Sequence, residues 1–334
     1  MMHMAAVAFH LTPFPPRLMA SLAAMAMFVL AVARPAFGNP PSGFDPYYHD
    51  AYGPAAPPSL DWNWFSPNNF GDPGLPSDPT GLSPVGWEFL PQGAIYPLYL
   101  ADVKASRLAG SWSGGTKGQI DATLGGRFGI LRHLRGSTGP YPHGWQLDFE
   151  GAAMPRVSPL KDLDLRSADF RFGLPLQFGF GRLHTRVGYY HLSSHVGDEF
   201  LLNNPGFQRL NFSRDVLFAG IGFWVTPHAR VYTQAGWGFR TDVSRPWEFE
   251  FGIERIPRFA TGISGQFFFA VHGHLRQELN YGGHLAAQTG WAWRRDERSG
   301  LLRVGLDYRN GKNTQYSFFR DHEQQLGLGL WYDF

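Results

Sequence analysis

The stretch Gln324 to Phe334, QQLGLGLWYDF, constrains the fold more than any other. Leu326, Leu328, Leu330, Tyr332 and Phe334 alternate strictly with Gln325, Gly327, Gly329, Trp331 and Asp333. Side chains of a strand point to opposite faces with period two, so one face is apolar and ends in aromatics while the other is mostly small or polar. The same alternation recurs along the chain. Trp145, Leu147 and Phe149 oppose Gln146, Asp148 and Glu150. Trp247, Phe249, Phe251 and Ile253 oppose Glu248, Glu250 and Glu254. Leu302, Val304, Leu306 and Tyr308 oppose Arg303, Asp307 and Arg309. The pattern predicts about twelve strands, near 107–113, 119–131, 145–154, 168–177, 182–194, 209–224, 229–239, 247–256, 266–278, 284–294, 301–309 and 323–334. An even number is what a single-chain bacterial barrel uses.

Of 334 residues, 43% are hydrophobic and 16% aromatic but only 17% charged, with 41 Gly and no Cys. That balance suits an all-β transmembrane antiparallel up-and-down barrel, with girdle aromatics outside and small residues where strands bend. Absence of Cys removes disulfides, thiol catalysis and zinc–thiolate sites. A formal charge of +2 gives no case for a nucleic-acid partner. The apolar run Leu18 to Ala33 follows Arg17 and precedes Ala36-Phe37-Gly38. A basic residue, a short apolar core and a small-x-small site predict a secretory signal peptide over 1–38. No later segment is apolar over the roughly twenty residues of a helical span, so a membrane protein here must be a closed barrel. A large soluble sandwich or lipocalin-like barrel would bury the same faces, yet it would need neither girdle aromatics nor the aromatic end.

Residues 39–86 are rich in Pro, Gly, Asn and Asp and carry no apolar period, which predicts an irregular periplasmic lead. Its Trp62, Trp64 and Phe65 are candidates for docking in the barrel mouth. The barrel region is 87–334. It opens with WEFLPQGAIYPLYLAD, Trp87 to Asp102, an ordered segment leading into the strands. Turns are expected to be short at the inner end (Phe178 to Gly181, Thr226 to His228) and long outside (His195 to Gln208, Arg309 to His322). Arg132 to Gly144 is long where a short turn is expected. Glu248, Glu250 and Glu254 are expected to cross-pair in the lumen with Arg230, Arg240, Arg276, Arg294 and Arg303. Gly151, Gly188 and Gly290 read as bends. His272, His274 and His284 fall on lumen faces without a clear ligand set, so no metal and no cofactor is expected.

Several blocks resemble the bacterial domain-of-unknown-function family 1207, from about Trp87 to Phe334. They are WEFLPQGAIYPLYLAD, GWQLDFEGAAMPR (Gly144 to Arg156), DFRFGLPL (Asp169 to Leu176), YYHLSSHVGDEF (Tyr189 to Phe200), NFSRD (Asn211 to Asp215), GWAWR (Gly290 to Arg294) and HEQQLGLGLWYDF (His322 to Phe334). The resemblance implies an outer-membrane barrel of Gram-negative type with no assigned activity. A last strand ending on Phe334 is similar to the signal that such barrels offer to the assembly machinery. The expected partners are therefore that machinery and outer-membrane lipid, including lipopolysaccharide.

One constellation carries chemistry. On the strand near 182–194, Leu183, Thr185, Val187 and Tyr189 share a face with His191 and Ser193, while His184, Arg186 and Tyr190 face the lumen. His191 and Ser193 then point to lipid near the outer rim. Polar residues there are costly without a partner or a purpose. The next strand brings Asn211, Ser213 and Asp215 to the same outer face. His, Ser and an Asn or Asp are the parts of an activated nucleophile. The arrangement is similar to outer-membrane phospholipase A and lipid A deacylase, which carry a His-x-Ser-Asn stretch. This chain reads His191-Leu192-Ser193-Ser194. Two functions stay open: a structural or narrow-channel barrel, and a lipid acyl hydrolase with His191, Ser193 and Asn211 or Asp215 as its catalytic groups.

Overall fold

The computed structural model describes residues 86–114, 118–138, 141–159, 163–296 and 298–334. The expected signal peptide, and the lead with Trp62, Trp64 and Phe65, lie outside the described residues.

Among the described residues thirteen strands form one sheet. They are β1 (Gly86–Phe89), β2 (Leu108–Ser113), β3 (Gln119–Thr138), β4 (Tyr141–Ser158), β5 (Asp164–Phe180), β6 (Leu183–Val196), β7 (Phe212–Trp224), β8 (Ala229–Thr241), β9 (Trp247–Arg255), β10 (Gln266–Arg276), β11 (Gly282–Arg294), β12 (Leu301–Lys312) and β13 (His322–Asp333), with a short helix α1 (Asp198–Asn203) after β6. From β2 to β13 each strand is antiparallel to the next. β13 then pairs back onto β2, Gly327 with Ser113 and Tyr332 with Leu108. The result is a closed antiparallel barrel of 12 strands, as the alternation predicts. β1 stays outside that ring. It pairs with the stretch of β3 from Leu131 to Leu134, beyond the reach of β2, and so covers an edge that would otherwise be open.

The outer wall is apolar. Phe251, Val304, Leu306, Leu326 and Leu328 are exposed, while Gln288, Arg303, Asp307 and Gln325, on the opposite faces of β11, β12 and β13, are buried. Period-two side-chain direction thus sorts each strand between lipid-type and lumen-type residues. Among the expected bends, a Cβ on Gly290 would sit 2.1 Å from the Val304 carbonyl oxygen, so β11 and β12 approach closely there. A Cβ on Gly188 would lie 2.6 Å from the Leu174 oxygen, whereas at Gly151 nothing is nearer than 3.6 Å and glycine is not required by packing.

Three expectations change. The long connection Arg132 to Gly144 does not exist: β3 and β4 pair out to Thr138 and Tyr141, leaving only residues 139–140 between them. Register shifts at Gly129/Leu131 and Leu134/Gly136, with Gly136 at φ 130°, are bulges that break the alternation, so a strand reads as a loop. Of the arginines expected to pair with Glu248, Glu250 and Glu254, Arg230 does so with Glu254, whereas Arg276 and Arg303 pair with Glu278 and Asp333, and Arg240 is not in the lumen at all. The pairing of β7 with β8 jumps from Asp215–Arg240 to Val216–Gly238, and the extra residue turns an exposed Arg240 to the outer wall. Finally, not every connection at the end holding Gly86 and Phe334 is short. Residues 256–265 form a long one, held by Trp291 and Trp293, whose indole N–H groups donate to Ser264 O at 2.6 Å and Ile263 O at 2.9 Å.

The lumen is filled from both ends. Residues 90–107 enter it, with Tyr96, Tyr99, Leu100 and Ala101 buried. Arg127 on β3 donates to Tyr96 O at 2.7 Å, and Arg230 on β8 to Pro97 O and Leu98 O at 3.0 Å. Tyr96 N–H donates to Gln177 on β5 at 2.7 Å, and Leu100 N–H to Glu254 on β9 at 2.8 Å. Tyr99 stacks on Tyr232 with ring centroids 3.7 Å apart. From the other end the β12–β13 connection folds inward, packing Tyr316 and Phe319 against Tyr190, Phe212 and Phe218. Ser317 and Ser194 hydroxyls meet at 2.7 Å. A barrel of this size has an interior between one filled by its own wall residues and an open pore, and here chain segments occupy it.

Candidate functional site on the outer wall

β6 places its even-numbered residues inside, with His184, Arg186, Tyr190, Leu192 and Ser194 buried, which leaves Tyr189, His191 and Ser193 on the outer wall. The site lies near the barrel end opposite Gly86 and Phe334, since β6 ends at Val196 and β7 starts at Phe212. Register builds one row across four strands: Phe172 on β5, His191 on β6, Asp215 on β7 and Arg240 on β8. His191 Nδ1 lies 2.8 Å from Asp215 Oδ1. A carboxylate can only accept, so the Nδ1–H is the donor, and in the neutral imidazole Nε2 is then the acceptor. The Tyr189 hydroxyl donates to the same Asp215 oxygen at 2.6 Å. The Phe172 ring lies against the imidazole, with centroids 5.3 Å apart and planes 28° apart. His191 is thus held between a ring and a carboxylate. Its side chain stays 28% exposed and that of Asp215 15%, enough for a molecule at the wall to reach them.

Ser193 occupies the next outer position on β6, opposite Ser213. Among the described residues its hydroxyl has no hydrogen-bond partner. No hydrogen bond joins it to His191, whose imidazole is turned to Asp215. The two positions are about 7 Å apart along the strand, so the side chains would have to turn towards each other to meet. Asn211 does not join the row. It precedes β7 and donates to Asp242 Oδ2 at 3.4 Å. Of the two residues expected to orient the imidazole, the structure brings Asp215 to it and not Asn211. The sequence places Tyr189 on the face of His191 without giving it a role, assigns Arg240 to the lumen, and does not point to Phe172. Phe172 and Arg240 depend on strand register and on a bulge. Arg240 and Arg209, whose guanidinium lies 3.3 Å from His195 Nδ1, give this part of the rim cationic groups suited to phosphate.

The family model described as "Protein of unknown function (DUF1207)" matches residues 90–334. The chain belongs to this family. No curated protein matches it in sequence. Among solved structures it is similar to outer membrane phospholipase A from Escherichia coli, at 13% identity and a TM-score of 0.44, over 71% of this chain and 93% of that one. The matched DUF1207 region takes in the lumen segment as well as the barrel, so β2 to β13 and the filling of their interior fall within it.

Proposed function

We propose that this DUF1207 protein is an outer-membrane barrel that acts on lipid at its outer wall, as an acyl hydrolase, and does not conduct solute through its lumen. The membrane placement is supported by the apolar wall, since a soluble protein rarely exposes a continuous apolar surface of this extent. The observation that carries the activity is the His191–Asp215 pair, 2.8 Å apart on that wall. In the neutral ring its Nε2 is the acceptor that Ser193, two residues on along the same face, would turn to. His191 takes the Ser193 proton as the hydroxyl oxygen attacks the ester carbonyl of a lipid. It then returns that proton to the leaving alcohol as the carbon–oxygen ester bond breaks. A water, activated in the same way, cleaves the acyl-serine and releases fatty acid. Asp215 holds the tautomer and stabilises the imidazolium. Phospholipid and lipopolysaccharide of the outer leaflet are the substrate classes, because they diffuse along the wall and reach the site without leaving the membrane.

A second reading is favoured by the unpartnered Ser193 hydroxyl: the row Phe172–His191–Asp215 locks three strands together at headgroup level and catalyses nothing. One experiment separates the two. The barrel is refolded in detergent with phospholipid or lipopolysaccharide, and released fatty acid is measured. Hydrolysis that is lost in Ser193→Ala, while heat-modifiable mobility is kept, supports the hydrolase. Absence of release by the wild-type barrel, or release untouched by the substitution, leaves the locking role.

A further inference from the structure

A second group of titratable side chains lies inside the barrel, on the opposite side of the wall from lipid. β9 turns Glu248 and Glu250 inward, β10 turns His272 and His274 inward, and β11 does the same with His284. Register sets Glu250, His274 and His284 in one row across the three strands. One ligand atom each from Glu248, Glu250 and His274 lie within 4.8 Å of one another, and all three residues are buried. His274 Nε2 is 3.2 Å from Glu248 Oε2. The His274 and His284 rings have centroids 5.5 Å apart.

Two features point to a missing partner. Glu250 is 8% exposed and its Oε2 has no hydrogen bond; Gln234 donates to the other oxygen at 3.1 Å. Its ion-pair contact among the described residues is His272, at 4.0 Å. His284 is 7% exposed, and neither ring nitrogen has a hydrogen bond among the described residues. Buried polar atoms are nearly always satisfied, and two carboxylates this close are relieved either by a proton held on one of them or by a cation. Glu248 already has supports that fix its orientation: the Tyr190 hydroxyl donates to Oε1, and Arg214 lies 3.4 Å from Oε2. Partners of this kind typically orient ligating carboxylates.

We propose that Glu248, Glu250 and His274, with His284 as a fourth ligand, form a site for a divalent first-row transition metal inside the lumen. Imidazole nitrogen with carboxylate oxygen suits zinc and its neighbours better than calcium or magnesium, which prefer all-oxygen shells. Bond lengths of about 2.0–2.2 Å require the side chains to draw in around the ion. The bound ion joins β9, β10 and β11 from within and supplies the partner that Glu250 Oε2 lacks. Sequence spacing displays the three histidines but not this set, since the acidic ligands come from a neighbouring strand and only register brings them alongside.

The test uses the full barrel folded in detergent and stripped with chelator, then dialysed against zinc(II). One zinc per chain is expected, with a rise in the temperature at which heat-modifiable mobility is lost. Glu250→Gln keeps the shape and removes the unsatisfied charge, and His274→Gln removes the central ligand. Each should lower zinc affinity at least tenfold, while Glu199→Gln on α1 should not. A cobalt(II)-loaded wild-type barrel should show the intense visible bands of a four-coordinate nitrogen–oxygen site. Failure of the wild-type barrel to take up zinc overturns the proposal whether or not the variants fold. So does one zinc per chain, bound as tightly as in wild type, in folded Glu250→Gln.

Discussion

Arg230 and Glu254 are direct cross-strand partners in the lumen, Nε to Oε1 at 2.8 Å, and together they hold the backbone of the chain that fills the barrel. Arg230 donates to Pro97 O and Leu98 O while Glu254 accepts from Leu100 N–H. Both side chains are fully buried. Glu254→Ala leaves a buried guanidinium without its counter-ion and should destabilise the folded barrel by roughly 3–5 kcal/mol. Glu254→Gln keeps the shape and one acceptor and should cost less. Urea titration of the detergent-folded barrel measures both. Equal stability of wild type and Glu254→Ala would mean that the clamp contributes nothing.

The same clamp makes a permeation prediction. With residues 90–107 held in the interior and Tyr316 and Phe319 packed at the other end, the wild-type barrel should give no steady conductance in a planar bilayer. Replacing both Arg230 and Glu254 with Ala removes the ion pair and its hydrogen bonds to Pro97, Leu98 and Leu100, and should produce intermittent openings. A steady open channel in the wild type would show that the filling segments leave a path.

Strand count and sidedness were legible because a barrel writes its two environments into alternate residues. Val304 against Arg303, or Leu328 against Gln325, needs no knowledge of what lies beside it. The filling of the lumen was not legible. The segment Trp87 to Asp102 is apolar enough to pack somewhere, but its partners Arg127, Gln177, Arg230 and Glu254 are spread over four strands and meet only on closure. The β3–β4 turn was missed because bulges erase the period. The outward turn of Arg240 was missed because one extra residue on β8 reverses the side-chain phase beyond Gly238. In the candidate site, His191, Ser193 and Asp215 were findable by phase alone. The preference for Asp215 over Asn211 was not, since it depends on which residue of β7 stands opposite His191.

Sidedness itself can be tested. Val304 and Leu328 are 44% and 56% exposed on the outer wall. Arg at either position should cost about 2–4 kcal/mol if it falls near mid-membrane. Gln325 is buried in the polar lumen, where its amide donates to Glu323 Oε2 at 3.1 Å. Gln325→Arg would share that carboxylate with Arg156, which lies 2.7 Å from it, and should still be tolerated better than a charge on the outer wall. Gln288 is a poorer control, because Arg303 already donates to it at 2.8 Å and a second guanidinium would be repelled. Refolding titrations into lipid vesicles give the comparison. Equal losses at Val304 and Gln325 would mean that the outer wall is not in lipid.

The last prediction separates a catalytic Asp215 from one that only braces the wall. Its carboxylate accepts from His191 Nδ1 and from the Tyr189 hydroxyl. In Asp215→Asn the shape is preserved, but the amide can present N–H to Nδ1. The imidazole then carries its proton on Nε2 and cannot take one from Ser193. If the row is catalytic, kcat for lipid hydrolysis should fall by roughly 10⁴, the scale of a lost orienting carboxylate in a Ser-His-Asp enzyme. KM should stay near its wild-type value, because Asp215 acts through His191 and not on the ester itself. Tyr189→Phe removes one hydrogen bond and leaves the tautomer intact, so its loss should be no more than about tenfold. A bracing role predicts the reverse pattern: the unfolding midpoint falls in both variants, and any fatty-acid release is unaffected. Measuring kcat and the urea midpoint side by side for the two substitutions therefore decides between them. Full activity in a folded Asp215→Asn barrel would remove Asp215 from the mechanism.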